Sequence, residues 1–238
     1  MTITTGFIYA HPDDETYSSG CLIRKIVDEG NKAVLLTATR GDAGKSGRLG
    51  ELTKVELAAK REEELNKAGK IMGLSVIEHL GLPDGKLNTY DLSQIVDRVI
   101  TFINQHQVQV VVTFPEDGLR GHPDHIVIHH ATKEAVLSGK CATVQKLYYT
   151  APFSHRDENN EFVLKVEAAP YWETKINAIR QHESQILSAE RIFGNLLYSP
   201  NLTSPEGDRF KYEYFVLAWE RGVTNPLKRE NSIYDGLR

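Results

Sequence analysis

Residues 7–15 read Phe7-Ile8-Tyr9-Ala10-His11-Pro12-Asp13-Asp14-Glu15, an apolar run that ends in an imidazole, a proline and three carboxylates. Unpaired charges are costly inside a buried strand, so the polar cluster is expected on a loop just past a strand end. In open α/β sheets, ligands bind at that edge. His11 and Asp14 offer a nitrogen and an oxygen ligand three residues apart, which suits Zn²⁺, although Asp-rich segments also cap helices.

The composition indicates one folded domain without a basic surface for nucleic acid. The chain has 238 residues and a formal net charge of -4, and we expect residues 1–238 to form a single domain with a polar tail at 222–238. Cys21 and Cys141 match no disulfide or metal-binding spacing. Residues 1–6 lack the charges of a signal peptide, and no apolar run approaches the roughly 20 residues that span a bilayer. We therefore expect a soluble cytoplasmic protein with no membrane partner.

Strand and helix patterns alternate along the first 150 residues, which predicts a doubly wound α/β fold with a mostly parallel sheet of order 3-2-1-4-5. The predicted strands are 6–10, 32–39, 76–80, 108–114 and 146–150. The predicted helices are 16–29, 53–72, 91–106 and 126–137. Beyond Thr150 the alternation weakens. There we predict a short strand at 162–166, one helix at 171–187, an irregular loop at 195–209, a last strand at 212–219 and a tail that is disordered or docked on a partner subunit.

A second polar motif, His122-Pro123-Asp124-His125, follows the fourth predicted strand. Strands 1 and 4 are neighbours at the switch point of such a sheet, so the two motifs are expected to meet there. Together they predict a metal site with three protein ligands and one open position, as catalytic zinc sites have. The spacing leaves open which histidine of the second motif binds the metal. A turn signature at 81–85 places Asp84 at the same edge.

The paired motifs resemble the PIG-L/LmbE family of zinc-dependent N-deacetylases. Further matches are Thr39-Arg40-Gly41-Asp42, Arg61-x-x-Glu64 and Gln181-His182-Glu183-Ser184-Gln185, and the resemblance extends to about residue 220. It implies a Rossmann-like three-layer sandwich that hydrolyses N-acetyl groups from glucosaminyl conjugates. Members include the deacetylases of bacillithiol and mycothiol biosynthesis and the phosphatidylinositol-GlcNAc enzyme. Homo-oligomers are common among them.

The resemblance also implies a role for each motif residue. Zinc would be bound by His11, Asp14 and His125. Asp13 would be the general base, and His122 would stabilise the oxyanion and assist the leaving amine, with Asp124 orienting His122. The substrate side would be formed by Arg40, Arg61, Asp84 and His182.

Two of these substrate-side residues have a second interpretation from the sequence alone. Arg61 lies on the apolar stripe of a predicted helix, where it could instead extend to solvent or pair with Glu64. His182 flanks another apolar stripe and could be a core histidine. The family often has Glu where this chain has Asp42, and the sequence of the loop at 44–50 does not follow the family pattern.

Three candidate functions can be compared with these patterns. The first is removal of an N-acetyl group from a small GlcNAc-type conjugate, with GlcNAc-malate of bacillithiol biosynthesis as the expected substrate. The second is cleavage of a bulkier acyl or thiol-conjugate amide on the same scaffold. The third, a nucleotide-binding module, requires Gly-x-Gly-x-x-Gly after the first strand, where His11-Pro12-Asp13-Asp14 stands instead. A site of two histidines and one aspartate accepts zinc or iron, so the native metal stays open.

Overall fold

A computed structural model describes residues 2–151, 164–224 and 230–237. Its sheet has seven strands in the order β3-β2-β1-β4-β5-β7-β6. The strands are β1 (Thr4–Tyr9), β2 (Lys32–Thr39), β3 (Val76–Leu82), β4 (Val110–Thr113), β5 (Lys146–Ala151), β6 (Leu164–Glu167) and β7 (Tyr212–Glu220). The first five pair in parallel, and β7 pairs antiparallel with both β5 and β6. The predicted order 3-2-1-4-5 with C-terminal additions is confirmed.

Helices cover both faces of this sheet. They are α1 (Asp14–Asp28), α2 (Lys54–Met72), α3 (Leu92–Gln105), the four-residue turn α4 (Gly118–Gly121), α5 (Pro123–Leu137), α6 (Trp172–Ile179) and α7 (Ile186–Phe193). Helices α1, α2 and α6 pack together on one face, and α3 packs with α5 on the other. Short 3-10 turns occur at Leu87–Thr89, Glu183–Gln185, Gly194–Leu197 and Asp208–Phe210. Among these helices, none is both long and apolar enough to cross a membrane.

Two helices begin earlier than predicted, and this changes where the motifs lie. Helix α1 begins at Asp14 rather than at Thr16, and α5 begins at Pro123 rather than at Ile126. Carboxylates are favourable in the first turn of a helix, and proline is well tolerated at the first helical position. Each polar motif therefore begins just before a helix and ends in its first turn, where the helical backbone fixes Asp14, Asp124 and His125.

The predicted single helix at 171–187 is wrong. The chain forms α6, a turn around Glu183–Gln185, and then α7. The buried carboxylate of Glu64 accepts both the backbone N–H of Ser184, at 2.9 Å, and its hydroxyl, at 2.6 Å. This contact takes an N–H that a continuous helix would need, so it ends the helical pattern there.

Part of the predicted tail is ordered, because residues 230–237 pack on their own chain. The Lys146 ammonium is fully buried and lies 2.6 Å from the Glu230 carboxylate. Tyr148 also donates to that carboxylate, and Ile233 is buried nearby in the core. Residues 162–163 of the predicted short strand and 225–229 of the predicted tail lie outside the described residues.

Candidate active site

The two polar motifs meet at the carboxyl ends of β1 and β4, which pair directly with Phe7 opposite Val112. The ring of His122 is stacked on that of His125, with centroids 4.3 Å apart, and its edge faces the ring of His11 at 4.9 Å. The ring of Phe114, which follows β4, supports His125 from the other side at 3.9 Å. The structure thus brings the side chains of the two motifs into one cluster.

Three candidate ligand groups form a nearly equilateral triangle in this cluster. His11 Nδ1 lies 3.3 Å from His125 Nε2 and 3.3 Å from Asp14 Oδ2, and His125 Nε2 lies 3.4 Å from Asp14 Oδ1. Bonds of about 2.0–2.2 Å at tetrahedral angles place ligand atoms about 3.3–3.5 Å apart, so this donor set fits zinc. His11 also belongs to two other groups able to hold a metal, one with His122 and His125 and one with Asp84 and Asp124.

Hydrogen bonds on the far ring nitrogens favour the first triangle. His11 Nε2 lies 3.0 Å from Asp84 Oδ1 and 3.2 Å from Asp124 Oδ2, and His125 Nδ1 lies 3.1 Å from the carbonyl oxygen of Gly118. These acceptors assign the N–H to the outer nitrogen of each ring. The lone pairs of His11 Nδ1 and His125 Nε2 are then directed into the triangle, as is usual for histidine ligands.

The electrostatics of the triangle favour a bound cation. Burial alone would raise the pKa of Asp14, but the imidazoles of His125 and His11 hold it well below its usual value. Burial alone would lower the pKa of His11, but hydrogen bonds to Asp124, Asp14 and Asp84 raise it well above its usual value. A metal that enters the triangle therefore replaces a proton on His11.

Asp124 corrects one expectation, because its carboxylate is bound to His11 and to backbone groups rather than orienting His122. The side chain is fully buried and accepts the N–H of Gly85 at 2.7 Å and the N–H of Leu87 at 3.1 Å. Burial alone would raise the pKa of Asp124, but these bonds and the one from His11 lower it. The loop after β3 reaches across the switch point, so its amides fix Asp124 toward His11.

Asp13 lies in the sequence between the two candidate ligands of the first motif, and its backbone conformation is strained. Its φ is 109°, in the left-handed region that non-glycine residues rarely adopt. Its carboxylate lies 3.4 Å from the Arg61 guanidinium and is 17% exposed. Burial is the main cause that raises the pKa of Asp13 to about 6, and Arg61 opposes this rise. Strain of this kind is concentrated at functional sites.

His122 is the exposed member of the cluster. Partial burial lowers its pKa, and the neighbouring rings of His125 and His11 lower it further. The ring of His122 thus packs against the triangle on one side, and its other side stays open to an incoming ligand.

The four expected substrate-side residues do not share one environment. Arg61 is 4% exposed and donates to the carbonyl oxygens of Pro12 and Gly41, while its expected partner Glu64 binds Ser184 instead. Gly41 is required there, because a Cβ would lie 2.3 Å from the guanidinium.

The side chains of Asp84 and His182 are also largely buried, whereas that of Arg40 is half exposed. The Asp84 carboxylate contacts His11, and His182 is 1% exposed, with its Nε2 lying 3.6 Å from Glu15 Oε1. Arg40 is half exposed and lies 3.0 Å from Glu62. As the structure stands, Arg40 is thus the one of the four whose side chain reaches the surface.

Glu15 has no role among the site residues predicted from the sequence, yet its carboxylate contacts the backbone of Asp13. It is fully buried and accepts the backbone N–H of Asp13 at 3.1 Å. No local sequence pattern predicts this burial, because an unpaired carboxylate is costly to remove from water and is expected to stay solvated.

The sheet and the cluster define a class, Rossmann-like enzymes with a histidine–carboxylate site at the switch point of the sheet. Residues 7–136 match the model of the PIG-L family, described as GlcNAc-PI de-N-acetylase. The chain therefore belongs to the PIG-L family, and it is a hydrolase of the deacetylase class.

Two relatives carry the name 1D-myo-inositol 2-acetamido-2-deoxy-alpha-D-glucopyranoside deacetylase. The one from Kineococcus radiotolerans is 32% identical over 158 residues, which span 55% of this chain and 44% of that protein. The one from Saccharomonospora viridis is 27% identical over 261 residues, which span 89% of this chain and 94% of that protein.

Solved structures share the fold. The N,N'-diacetylchitobiose deacetylase of Pyrococcus horikoshii superimposes with a TM-score of 0.69 at 22% identity, covering 90% of this chain and 83% of its own. GalB from Pseudomonas putida, a 4-carboxy-2-hydroxymuconate hydratase, gives 0.68 at 18% identity, covering 94% and 99%. A hydratase and a deacetylase share this architecture, so the fold by itself does not define the reaction.

Proposed function

We propose that the chain is a zinc-dependent N-deacetylase that removes the acetyl group from a small GlcNAc-type conjugate. The observation that carries this proposal is the triangle of His11, Asp14 and His125, with ligand atoms 3.3–3.4 Å apart, beside Asp13 and His122. Family membership and the names of the relatives support the substrate class.

In the proposed mechanism, His11, Asp14 and His125 would hold the zinc, which supplies Lewis-acid chemistry and a water activated at neutral pH. Asp13 accepts a proton from the attacking water, whose oxygen forms a bond to the acetyl carbon. His122 donates a hydrogen bond to the developing oxyanion and a proton to the amine nitrogen as the C–N bond breaks. Burial and the neighbouring rings lower the pKa of His122, so its protonated form is a stronger acid but is less populated at neutral pH. The products are acetate and a free amine.

Metal loading provides the first test of this assignment. We expect purified chain to take up a single zinc ion, His125→Ala to lose it, and Asp124→Asn to bind it about 10- to 100-fold more weakly, because that carboxylate orients His11. Elemental analysis and competition with a chelating dye measure both effects, and a parallel iron titration separates the two candidate metals.

The matched control is His130→Ala, an exposed histidine of the same helix α5, which should bind zinc as the parent does. If His125→Ala binds zinc with parental affinity, the ligand assignment is wrong. If metal-loaded parent releases no acetate from any N-acetylglucosaminyl conjugate, the proposed reaction is wrong.

A cavity of about 240 Å³ next to the site suggests where the aglycone binds. Arg40 and Lys54 line it together with Leu82 and Pro83, and Pro83 directly precedes Asp84 of the cluster. Asp42 also lines the cavity, so two cations face one carboxylate, and the excess positive charge suits an aglycone that carries carboxylates, such as the malate of GlcNAc-malate. We propose this conjugate as the substrate and assign Arg40 to its carboxylates.

Replacing Arg40 should affect the hydrolysis of anionic and uncharged conjugates differently. We expect Arg40→Ala to raise KM for GlcNAc-malate by about 10-fold and to leave KM for the uncharged GlcNAc-inositol nearly unchanged, because a charged hydrogen bond is lost in one case alone. Initial-rate acetate assays measure this. Arg24→Ala, which breaks an arginine–aspartate pair on the surface of α1, is the control. Equal effects on both substrates would count against an anionic aglycone.

The second candidate function is hydrolysis of a bulkier acyl or thiol-conjugate amide on the same glucosaminyl scaffold, since the same site would perform that chemistry. Comparing acetate release from GlcNAc-malate with hydrolysis of an S-conjugate amide separates the two. Preference for the S-conjugate in kcat/KM would favour the second candidate.

A further inference from the structure

Behind Asp13 lies a buried pair that the mechanism above does not use. Glu15 is fully buried and His182 is 1% exposed, and their Oε1 and Nε2 atoms are 3.6 Å apart. The hydroxyl of Thr16 lies between them, donating to Glu15 and lying 3.4 Å from His182 Nε2. A buried carboxylate without a partner is costly, so the imidazole and this hydroxyl are what keep Glu15 in place.

Glu15 uses its other oxygen to hold the backbone of Asp13. Glu15 Oε2 accepts the Asp13 N–H at 3.1 Å, and Arg61 binds the carbonyl oxygen of the preceding residue, Pro12. Asp13 has a φ of 109°, and such a conformation persists only where surrounding contacts enforce it. These two hydrogen bonds fix the backbone at the N–H of Asp13 and at the carbonyl group that precedes it.

The turn that follows His182 is held by groups from distant parts of the chain. Glu64 of α2 binds the N–H and hydroxyl of Ser184, and the Gln185 amide donates to the carbonyl oxygen of Lys45 at 2.9 Å. Among the described residues, His182 Nδ1 has no hydrogen-bond partner, so the contact at Nε2 is the one that orients the ring. The ring therefore points at Glu15 rather than at an open cavity.

We propose that Glu15 and His182 are positioning residues for Asp13. His182 fixes the Glu15 carboxylate, Glu15 fixes the Asp13 N–H, and the strained turn directs the Asp13 carboxylate toward the attacking water. This proposal rests on the proposed function for the role of Asp13, and it replaces the expected contact between His182 and substrate. A shift of about 1 Å in a catalytic group is enough to cost about 100-fold in rate.

Crystal structures and kinetics of two His182 variants test the proposal. In His182→Leu we expect the φ of Asp13 to leave the positive region, kcat to fall about 100-fold, and KM and zinc content to stay at parental values. His182→Gln keeps a polar group facing Glu15, so it should restore the positive φ and much of kcat. Thr16→Val provides the same test, with a smaller loss, if the leucine variant does not fold.

The control is His106→Leu, because His106 is also paired with a glutamate, Glu78, at 2.7 Å but lies at the end of α3. It should change neither the φ of Asp13 nor kcat. An unchanged φ with unchanged kcat in His182→Leu overturns the proposal, and so does a raised KM with parental kcat, which indicates substrate contact. If the parent lacks deacetylase activity, the proposed function fails, while the φ of Asp13 still decides the positioning role.

Discussion

Asp13→Asn is expected to lower kcat for acetate release by about 100- to 10,000-fold while the protein keeps its zinc. Asparagine has nearly the same shape as aspartate but cannot accept the proton of the attacking water. The ligand triangle of His11, Asp14 and His125 does not include Asp13, so metal binding should survive the change. Steady-state kinetics with metal analysis of the same sample measures both properties.

The control for this variant is Asp97→Asn, which neutralises an aspartate whose side chain is 70% exposed on α3. It should leave kcat and zinc content at parental values. Normal turnover of Asp13→Asn would rule out the general-base role. Loss of zinc together with turnover would instead place Asp13 among the ligands.

The order of the central sheet was predictable because local patterns and chain topology agree. Each strand from β1 to β4 is a short, mostly apolar run followed by a helical repeat, and parallel strands with crossover helices allow few arrangements. The same reasoning brought the two polar motifs to neighbouring strand ends. Helix starts were less accurate, since the sequence does not show that Asp14 and Pro123 already have helical backbone.

Side-chain partners were less predictable than backbone placement, and Asp124 shows why. Its sequence neighbour His122 was the expected partner, but the amides of Gly85 and Leu87 bind it from a loop about 40 residues away. No local pattern encodes the path of that loop. The same holds for the predicted helix at 171–187, whose periodicity continues through Ser184, although Glu64, 120 residues away, breaks it.

The apolar stripes placed Arg61 on a buried face of α2, whereas His182 lies in the break after α6, and the pattern could not tell a substrate contact from a structural one. The burial of both side chains now favours the second alternative. Both still bear on the site, because Arg61 binds the carbonyl oxygen of Pro12 and His182 contacts Glu15. A charged residue on an apolar stripe can thus support a site without facing its ligand.

Lys175→Met is expected to lower the free energy of unfolding by about 3–5 kcal/mol, because it leaves the Glu213 carboxylate buried without its cation. Lys175 is 1% exposed and Glu213 5%, and Lys175 Nζ lies 2.6 Å from Glu213 Oε1. Glu213 also accepts the N–H groups of Cys21 and Leu22 in the middle of α1, at 3.0 and 2.9 Å. Urea unfolding monitored by circular dichroism measures the loss.

The double variant Lys175→Met/Glu213→Leu should recover part of that stability, because removing both charges also removes the cost of burying them. The N–H groups of Cys21 and Leu22 can then bond within α1, whose first turn carries Asp14. Additive losses would show that the two side chains act independently. A coupling of about 2 kcal/mol or more would show that the pair acts as a unit. Because the pair packs against α1, which carries Asp14, we then expect the metal affinity of the single variant to fall together with its stability.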